Sequence, residues 1–299
     1  MSKVHQALKK AEQDKVAGEL IHKNSTLAEK KHPAESRPRE KEIEKESVLA
    51  RTENKPGGSM KIPEKSEFDQ HLVTFLNPKS IAAEQYRKLR TNILEYSDSN
   101  PPKCILVTSS LLGEGKTMTA VNLAVSIAQG IDEHVLLIDA DLRRPNLHNH
   151  LGLNPTAGLS NYLTDDIELS QLLINPPIPK LAFLPAGPVS DKPSELFYSN
   201  KMRNLIEEVK SRYEDRYIII DSTPVMSTSE PDVLAKQVDG IIFVVRSGKT
   251  PRQVIKRSLM SLDRRKMLGI VFNDIEPKIT GYGYYGYYGY YGYGGEEKK

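Results

Sequence analysis

Three sets of side chains in this sequence have the type and spacing needed to handle a phosphate group. The first is Ser110-Leu-Leu-Gly113-Glu114-Gly115-Lys116-Thr117. Its glycines let the backbone curl so that successive N–H groups point inward at phosphate oxygens. Lys116 would reach the β- and γ-phosphates of a nucleotide, and the Thr117 hydroxyl would bind Mg²⁺. The second set is Asp139 and Asp141, whose i, i+2 spacing puts both carboxylates on the same side of an extended chain. The third is Asp221, which ends another apolar run and would hold Mg²⁺ through water. A set of candidate phosphate acceptors follows. The stretch from Gly281 to Gly295 carries Tyr282, Tyr284, Tyr285, Tyr287, Tyr288, Tyr290, Tyr291 and Tyr293, eight of the chain's fourteen tyrosines. Each phosphorylated tyrosine would gain roughly −1.5 to −2 charges. The alternative for this stretch is a sticky low-complexity segment that regular glycine keeps flexible.

The loop departs from the G-x-x-x-x-G-K-[ST] pattern at one place, since Ser110 stands where the first glycine is usual. The flanking elements therefore carry the assignment. Before the loop, Cys104-Ile-Leu-Val107 reads as a buried parallel strand. After it, Ala120, Leu123, Ala124 and Ile127 read as a helix, whose N-terminus adds about half a positive charge at the loop. Met118 in that helix, and Arg246 and Asn273 at later strand ends, complete the candidate nucleotide contacts. Asn273 reads equally as a turn-forming residue. Pro101-Pro102 break the chain ahead of the first strand.

Further strands are expected over 134–139, 181–184, 217–221, 239–246 and 266–273. Helices are expected over 159–173, 199–213 and 251–263. Repeated strand–helix units with apolar strands predict an α/β fold. It should be P-loop NTPase-like and doubly wound, a mostly parallel sheet with helices on both faces.

Composition narrows the function classes. A formal charge of +3 gives no case for a nucleic-acid surface. A single cysteine rules out a disulfide framework and a clustered thiolate metal site. No apolar run approaches the roughly 18 residues that span a bilayer, and no signal-peptide pattern opens the sequence. A cytoplasmic protein is expected. Residues 1–70 read as a charged, disordered extension. Val4, Ala7, Leu8 and Ala11 form a helical stripe there, either a short docking helix or a solvated one. A helix from Ile81 aligns Glu84, Arg87 and Arg90 on one face. Spacing alone favours an intrahelical salt-bridge stripe over an interface.

Taken together, S-S-L-L-G-E-G-K-T, L-L-I-D-A-D-L-R-R-P, I-I-I-D-S-T-P and the tyrosine cluster resemble the bacterial tyrosine autokinases of polysaccharide export, the BY-kinases. The resemblance covers about residues 75 to 295. It is closest to the stand-alone cytoplasmic type associated with exosortase and exopolysaccharide loci. It implies a kinase domain over 71–278 and an autophosphorylation tail over 279–299, with ATP and Mg²⁺ as cofactors. It also implies catalytic roles for Lys116, Asp139 and Asp141. Asp139 would be the base for the tyrosine hydroxyl, and Thr117, Asp139, Asp141 and Asp221 would form the metal set. Glu84, Arg87 and Arg90 match the family's E-x-x-R-x-x-R motif, which implies a ring-forming homo-oligomer and reverses the reading from spacing. The implied partners are a membrane-embedded polysaccharide chain-length regulator, which would recruit the protein to the inner face of the membrane, and a tyrosine phosphatase.

Leu112 replaces the family's usual proline, and Thr223-Pro224 replace a pair of prolines, at positions that contribute no reacting side chain. Rival readings are a partitioning or septum-positioning ATPase, which would carry a signature lysine where Leu111 stands, and a nucleotide-gated scaffold without kinase activity. An iron–sulfur reductase would need bridging cysteines, and Cys104 is alone.

Overall fold

Six apolar runs become six parallel strands, and the first five bury both of their faces inside a helix-covered sheet. They are β1 (Cys104–Ser109), β2 (His134–Asp139), β3 (Leu181–Leu184), β4 (Arg216–Asp221), β5 (Gly240–Arg246) and β6 (Met267–Asn273), in the order β3-β2-β4-β1-β5-β6. These features come from a computed structural model, which describes Glu64 and residues 67–96, 101–211 and 215–275. The expected docking helix near the N-terminus and all eight tail tyrosines lie outside the described residues. The expected fold class holds, and every pairing in the sheet is parallel.

The pleat divides each strand between two cores. Leu106, Ile138, Ile220 and Phe243 face one apolar cluster, and Ile105, Leu137, Ile219 and Val244 face the other. On the second face lie α1 (Val73–Leu76), α2 (Ile81–Leu94), α3 (Lys116–Ala128) and α4 (Leu147–His150). The first face is covered by α5 (Leu159–Thr164), α6 (Pro193–Tyr198), α7 (Asn200–Ser211), α8 (Glu230–Gln237) and α9 (Arg252–Ser261). Residues 119–128 of α3 are all buried, which fixes the helix that opens at the glycine loop.

Two expectations are corrected, and one short helix stands where none was expected. The helix expected over 159–173 stops at Thr164, and only a short 3₁₀ turn, Leu169–Gln171, follows. Asp165 is extended, with φ −104° and ψ 166°, and Ile174 then bridges Phe183 as an extended residue. The helix expected over 199–213 is α7, with a separate α6 before it. Ser199 breaks the pair in extended geometry, and its Oγ accepts the Met202 N–H at 3.1 Å.

The folded unit also begins before residue 71. Phe68 is buried, its ring centroid 5.0 Å from that of Phe75, and Asp69 pairs with His150 at 3.0 Å. Asn122 on α3 clamps this strap. Its oxygen accepts from the Thr74 N–H and hydroxyl at 3.1 and 3.0 Å, and its amide donates to the His71 and Met118 carbonyls at 2.9 and 3.0 Å.

Candidate active site

Topology brings the acids together. β2 and β4 are neighbours in register, so Asp139 stands beside Asp221 at the carboxyl ends of adjacent strands, and Asp221 pairs with Val107 of β1. The loop after β1 delivers Lys116 to the same end, where open parallel sheets bind ligands. The Lys116 Nζ lies 3.4 Å from Asp141 Oδ2, 3.9 Å from Asp221 Oδ1 and 3.1 Å from the Thr117 hydroxyl.

Each acid is held differently. Asp139 is fully buried, and its two oxygens accept the Asp141 and Leu147 N–H groups at 3.1 and 3.2 Å. Asp141 uses Oδ1 to cap the following turn, accepting from the Arg143 and Arg144 N–H groups at 3.3 and 2.9 Å, and keeps Oδ2 for Lys116. Asp221 Oδ1 is buried without a hydrogen-bond partner.

The electrostatics follow. Burial, reinforced by Asp221, pushes Asp139 up to about 8. Burial also raises Asp221, to about 6, against the opposing pull of Lys116. Burial alone would depress Lys116, but Asp221, Asp141 and Asp139 outweigh it and hold the ammonium charged.

The loop is built to stay open to an anion. Gly113 and Gly115 have φ of 76° and 91°, a region other residues rarely adopt. A Cβ on Gly115 would also collide with the Asn273 amide nitrogen. That amide donates to the Glu114 carbonyl at 3.0 Å, so the end of β6 bolts the loop in place. Gly115 caps α3 without a side-chain hydrogen bond, leaving the first helical N–H groups for a ligand.

Ser110 replaces glycine without strain, because its φ is not positive. Its carbonyl accepts the Met226 N–H at 3.2 Å, while its buried hydroxyl has no partner. The Glu114 carboxylate turns back into the loop, accepting the Leu111 N–H at 2.6 Å and the Thr250 hydroxyl. Met118 is half-buried in the first turn of α3. Arg246 pairs with Asp274 at 2.8 Å, which places it beside Asn273 at the strand ends.

The residues fit a divalent cation. Carboxylates face one ammonium, and the Lys116 Nζ lies between the Thr117 hydroxyl, at 3.1 Å, and the buried Asp221 Oδ1, which has no hydrogen bond, at 3.9 Å. Among the described residues no three His, Cys, Asp or Glu side chains form a complete metal cage. Water and phosphate oxygens would therefore fill the remaining positions, as Mg²⁺ prefers.

Reading the sequence missed Glu230 and Thr250. Glu230 is buried at the start of α8 and accepts from Arg143 Nη2 at 2.7 Å and from the Ser194 hydroxyl at 2.9 Å. Its only local signal was an acid in a first helical turn. Burial would raise its pKa, but hydrogen bonds from Thr228 and Arg143 turn the balance downward. Glu84, Arg87 and Arg90 lie on α2, away from this cluster. Arg87 pairs with Glu84 at 2.6 Å, and Arg90 donates to the Ser126 carbonyl of α3 at 2.8 Å.

A phosphate loop on a parallel α/β sheet, with acids at the ends of neighbouring strands, defines a P-loop nucleotide-binding protein. Residues 102–256 match the AAA domain family. The chain is 35% identical over 222 residues to the tyrosine-protein kinase YwqD of Bacillus subtilis, covering 73% of this chain and 92% of that protein. It is 32% identical over 203 residues to the tyrosine-protein kinase CpsD of Streptococcus agalactiae, covering 67% of this chain and 85% of that one. Among solved structures, the kinase domain of the Escherichia coli tyrosine kinase ETK aligns with a TM-score of 0.65 at 28% identity, covering 74% of this chain and 87% of that chain. The chain belongs to the bacterial protein-tyrosine kinases. Among the described residues no helix is long and apolar enough to cross a membrane.

Proposed function

We propose that this kinase phosphorylates its own C-terminal tyrosine cluster, residues 282–293, largely between subunits of a ring, and thereby regulates exopolysaccharide polymerisation or export. The observation that carries the reading is the meeting of Lys116 with Asp141 and Asp221 at the mouth of the glycine loop. Mg²⁺, when bound, would neutralise the phosphate charge and the excess negative charge of the acids. Lys116 and the loop amides would then hold the transferring phosphoryl group, with catalysis by position and electrostatics. Asp221 and Thr117 are the metal ligands of this reading, and Asp141 orients Lys116. Asp139 is the acceptor of the tyrosine proton, its raised proton affinity suiting a base that works near neutral pH.

Glu84 and Arg87 are partly exposed and available to a neighbouring copy, while Arg90 fixes their helix. The domain limits are a charged N-terminal extension, a catalytic unit to residue 278 and the tail beyond. A membrane-embedded polysaccharide chain-length regulator is the proposed activator, with a tyrosine phosphatase resetting the tail.

Intact mass after incubation with Mg·ATP tests the reading. The parent protein should gain steps of about 80 Da, one per phosphoryl group, mapping to the tail, and Lys116→Met should gain none. Phosphate release with no mass gain, with the proposed activator present, would instead mark a switch ATPase.

A further inference from the structure

A groove of about 490 Å³ runs between α9 and the first half of β6, at the edge of the sheet. Ile255, Leu259 and Met267 make its floor apolar, and Arg252, Lys256 and Arg264 stand around it. The three cations are exposed, and none has an ion-pair partner among the described residues. The neighbouring acid, Asp263, is already taken by Arg265 at 2.8 Å. Ile270 lines the same groove and is 42% exposed. An apolar floor among unpaired cations matches a ligand with an aromatic body and an anionic tip. An acidic peptide would satisfy only the charges, and an aliphatic chain only the floor.

We infer that this groove binds phosphotyrosines of the chain's own tail, an inference that rests on the tail phosphorylation proposed above. The ring would lie on the apolar floor, and the phosphate would meet the guanidinium and ammonium groups, which favour such oxyanions. Residues 281–295 contain only glycine and tyrosine, so the unmodified tail brings no charge to the groove. Phosphorylation supplies roughly −1.5 to −2 per tyrosine. Chain length permits the contact. Tyr282 lies seven residues beyond Ile275. Seven extended residues reach about 23 Å, more than the roughly 17 Å back from Ile275 to Ile270. Later tyrosines reach further and could dock on a neighbouring copy. The groove would thus draw product tyrosines away from the active site and leave it open to unmodified ones.

The test uses dephosphorylated full-length protein and fluorescent synthetic peptides of residues 279–295. One carries phosphate on Tyr284 and Tyr285, one is unmodified, and one has glutamates at those two positions. Fluorescence anisotropy should show the phosphopeptide binding at least tenfold tighter than either control. The triple variant Arg252→Gln, Lys256→Gln, Arg264→Gln should lose at least tenfold in phosphopeptide affinity with its melting temperature unchanged. Ile270→Glu, a second exposed change, should weaken the same peptide. Equal binding of the three peptides would overturn the inference, as would full phosphopeptide affinity in both variants. Tight binding of the glutamate peptide would make the groove a general acidic-peptide dock and also overturn it. Because the peptides are synthetic, a kinase that failed to modify its own tail would refute the proposed function without changing this result.

Discussion

The middle and the edge of the sheet are built from equally apolar strands, yet they end in opposite states. All six residues of β4 are buried, while no residue of β6 is fully buried, and Ile270 and Phe272 are 42% and 57% exposed. β4 is paired on both sides and covered on both faces, whereas β6 pairs only with β5. An apolar run therefore specifies a strand, and its neighbours decide whether it becomes core. Chemistry sits in the middle, where low polarity strengthens every charge and fixed register sets every distance. The edge keeps apolar surface available for association.

Substitutions can break this contrast at several strengths. Lys116→Met, at the centre, should lower tail phosphorylation at least about a thousandfold, measured by intact mass over time. Asp139→Asn and Asp141→Asn should each cost about 10² to 10⁴ in kcat. Because Asp141 hydrogen-bonds Lys116 and Asp139 does not, the Asp141 variant should also raise KM for Mg·ATP. Matching KM changes in both variants would show that the two acids do not divide the work this way. Asn122→Ala should destabilise the protein by about 2 to 4 kcal/mol in urea unfolding, because it strands the strap's polar groups in a buried site.

The acids add a pH effect. Their folded-state pKa values, about 8 for Asp139 and about 6 for Asp221, exceed the usual 3.8. Raised values mean that the fold favours the protonated forms. Their contribution is therefore complete below about pH 4 and is lost as pH climbs toward 8. Without Mg²⁺, melting temperature should fall across that window through these two groups, and Mg·ADP should flatten the fall. At the edge, Ile270→Lys should change stability by less than about 0.5 kcal/mol. Ile219→Lys, one strand face from the site, should prevent folding altogether, which is the sharpest form of the contrast.

Much of this contrast was legible in the sequence. The glycine loop, the apolar strands and the acids at their ends all depend on local spacing, and local spacing is what a sequence displays. Strand order is a different kind of information. That Asp139 and Asp221 stand side by side follows from β2 lying next to β4, which no stretch of either strand encodes. The same limit hid Glu230, whose partner Arg143 is 87 residues away, and Thr250, which meets Glu114 across 136 residues. The strap before residue 71 was obscured by a charged neighbourhood, although Phe68, Leu72 and Phe75 all pack into one core. The helix expected over 159–173 stops at Thr164 because Asp165 is extended and Ile174 is drawn into a bridge with Phe183, a partner that local spacing does not display.

The hydrogen bond from Asn273 to the Glu114 carbonyl has a consequence for how the protein is made. The loop, its strand and its helix leave the ribosome well before β6, yet the residue that bolts the loop belongs to the last strand of the sheet. A nascent chain stalled before residue 273 holds every side chain of the phosphate loop and lacks its brace. Nucleotide capture should therefore mature late in synthesis, and a growing chain would be kept from spending ATP before its sheet is complete.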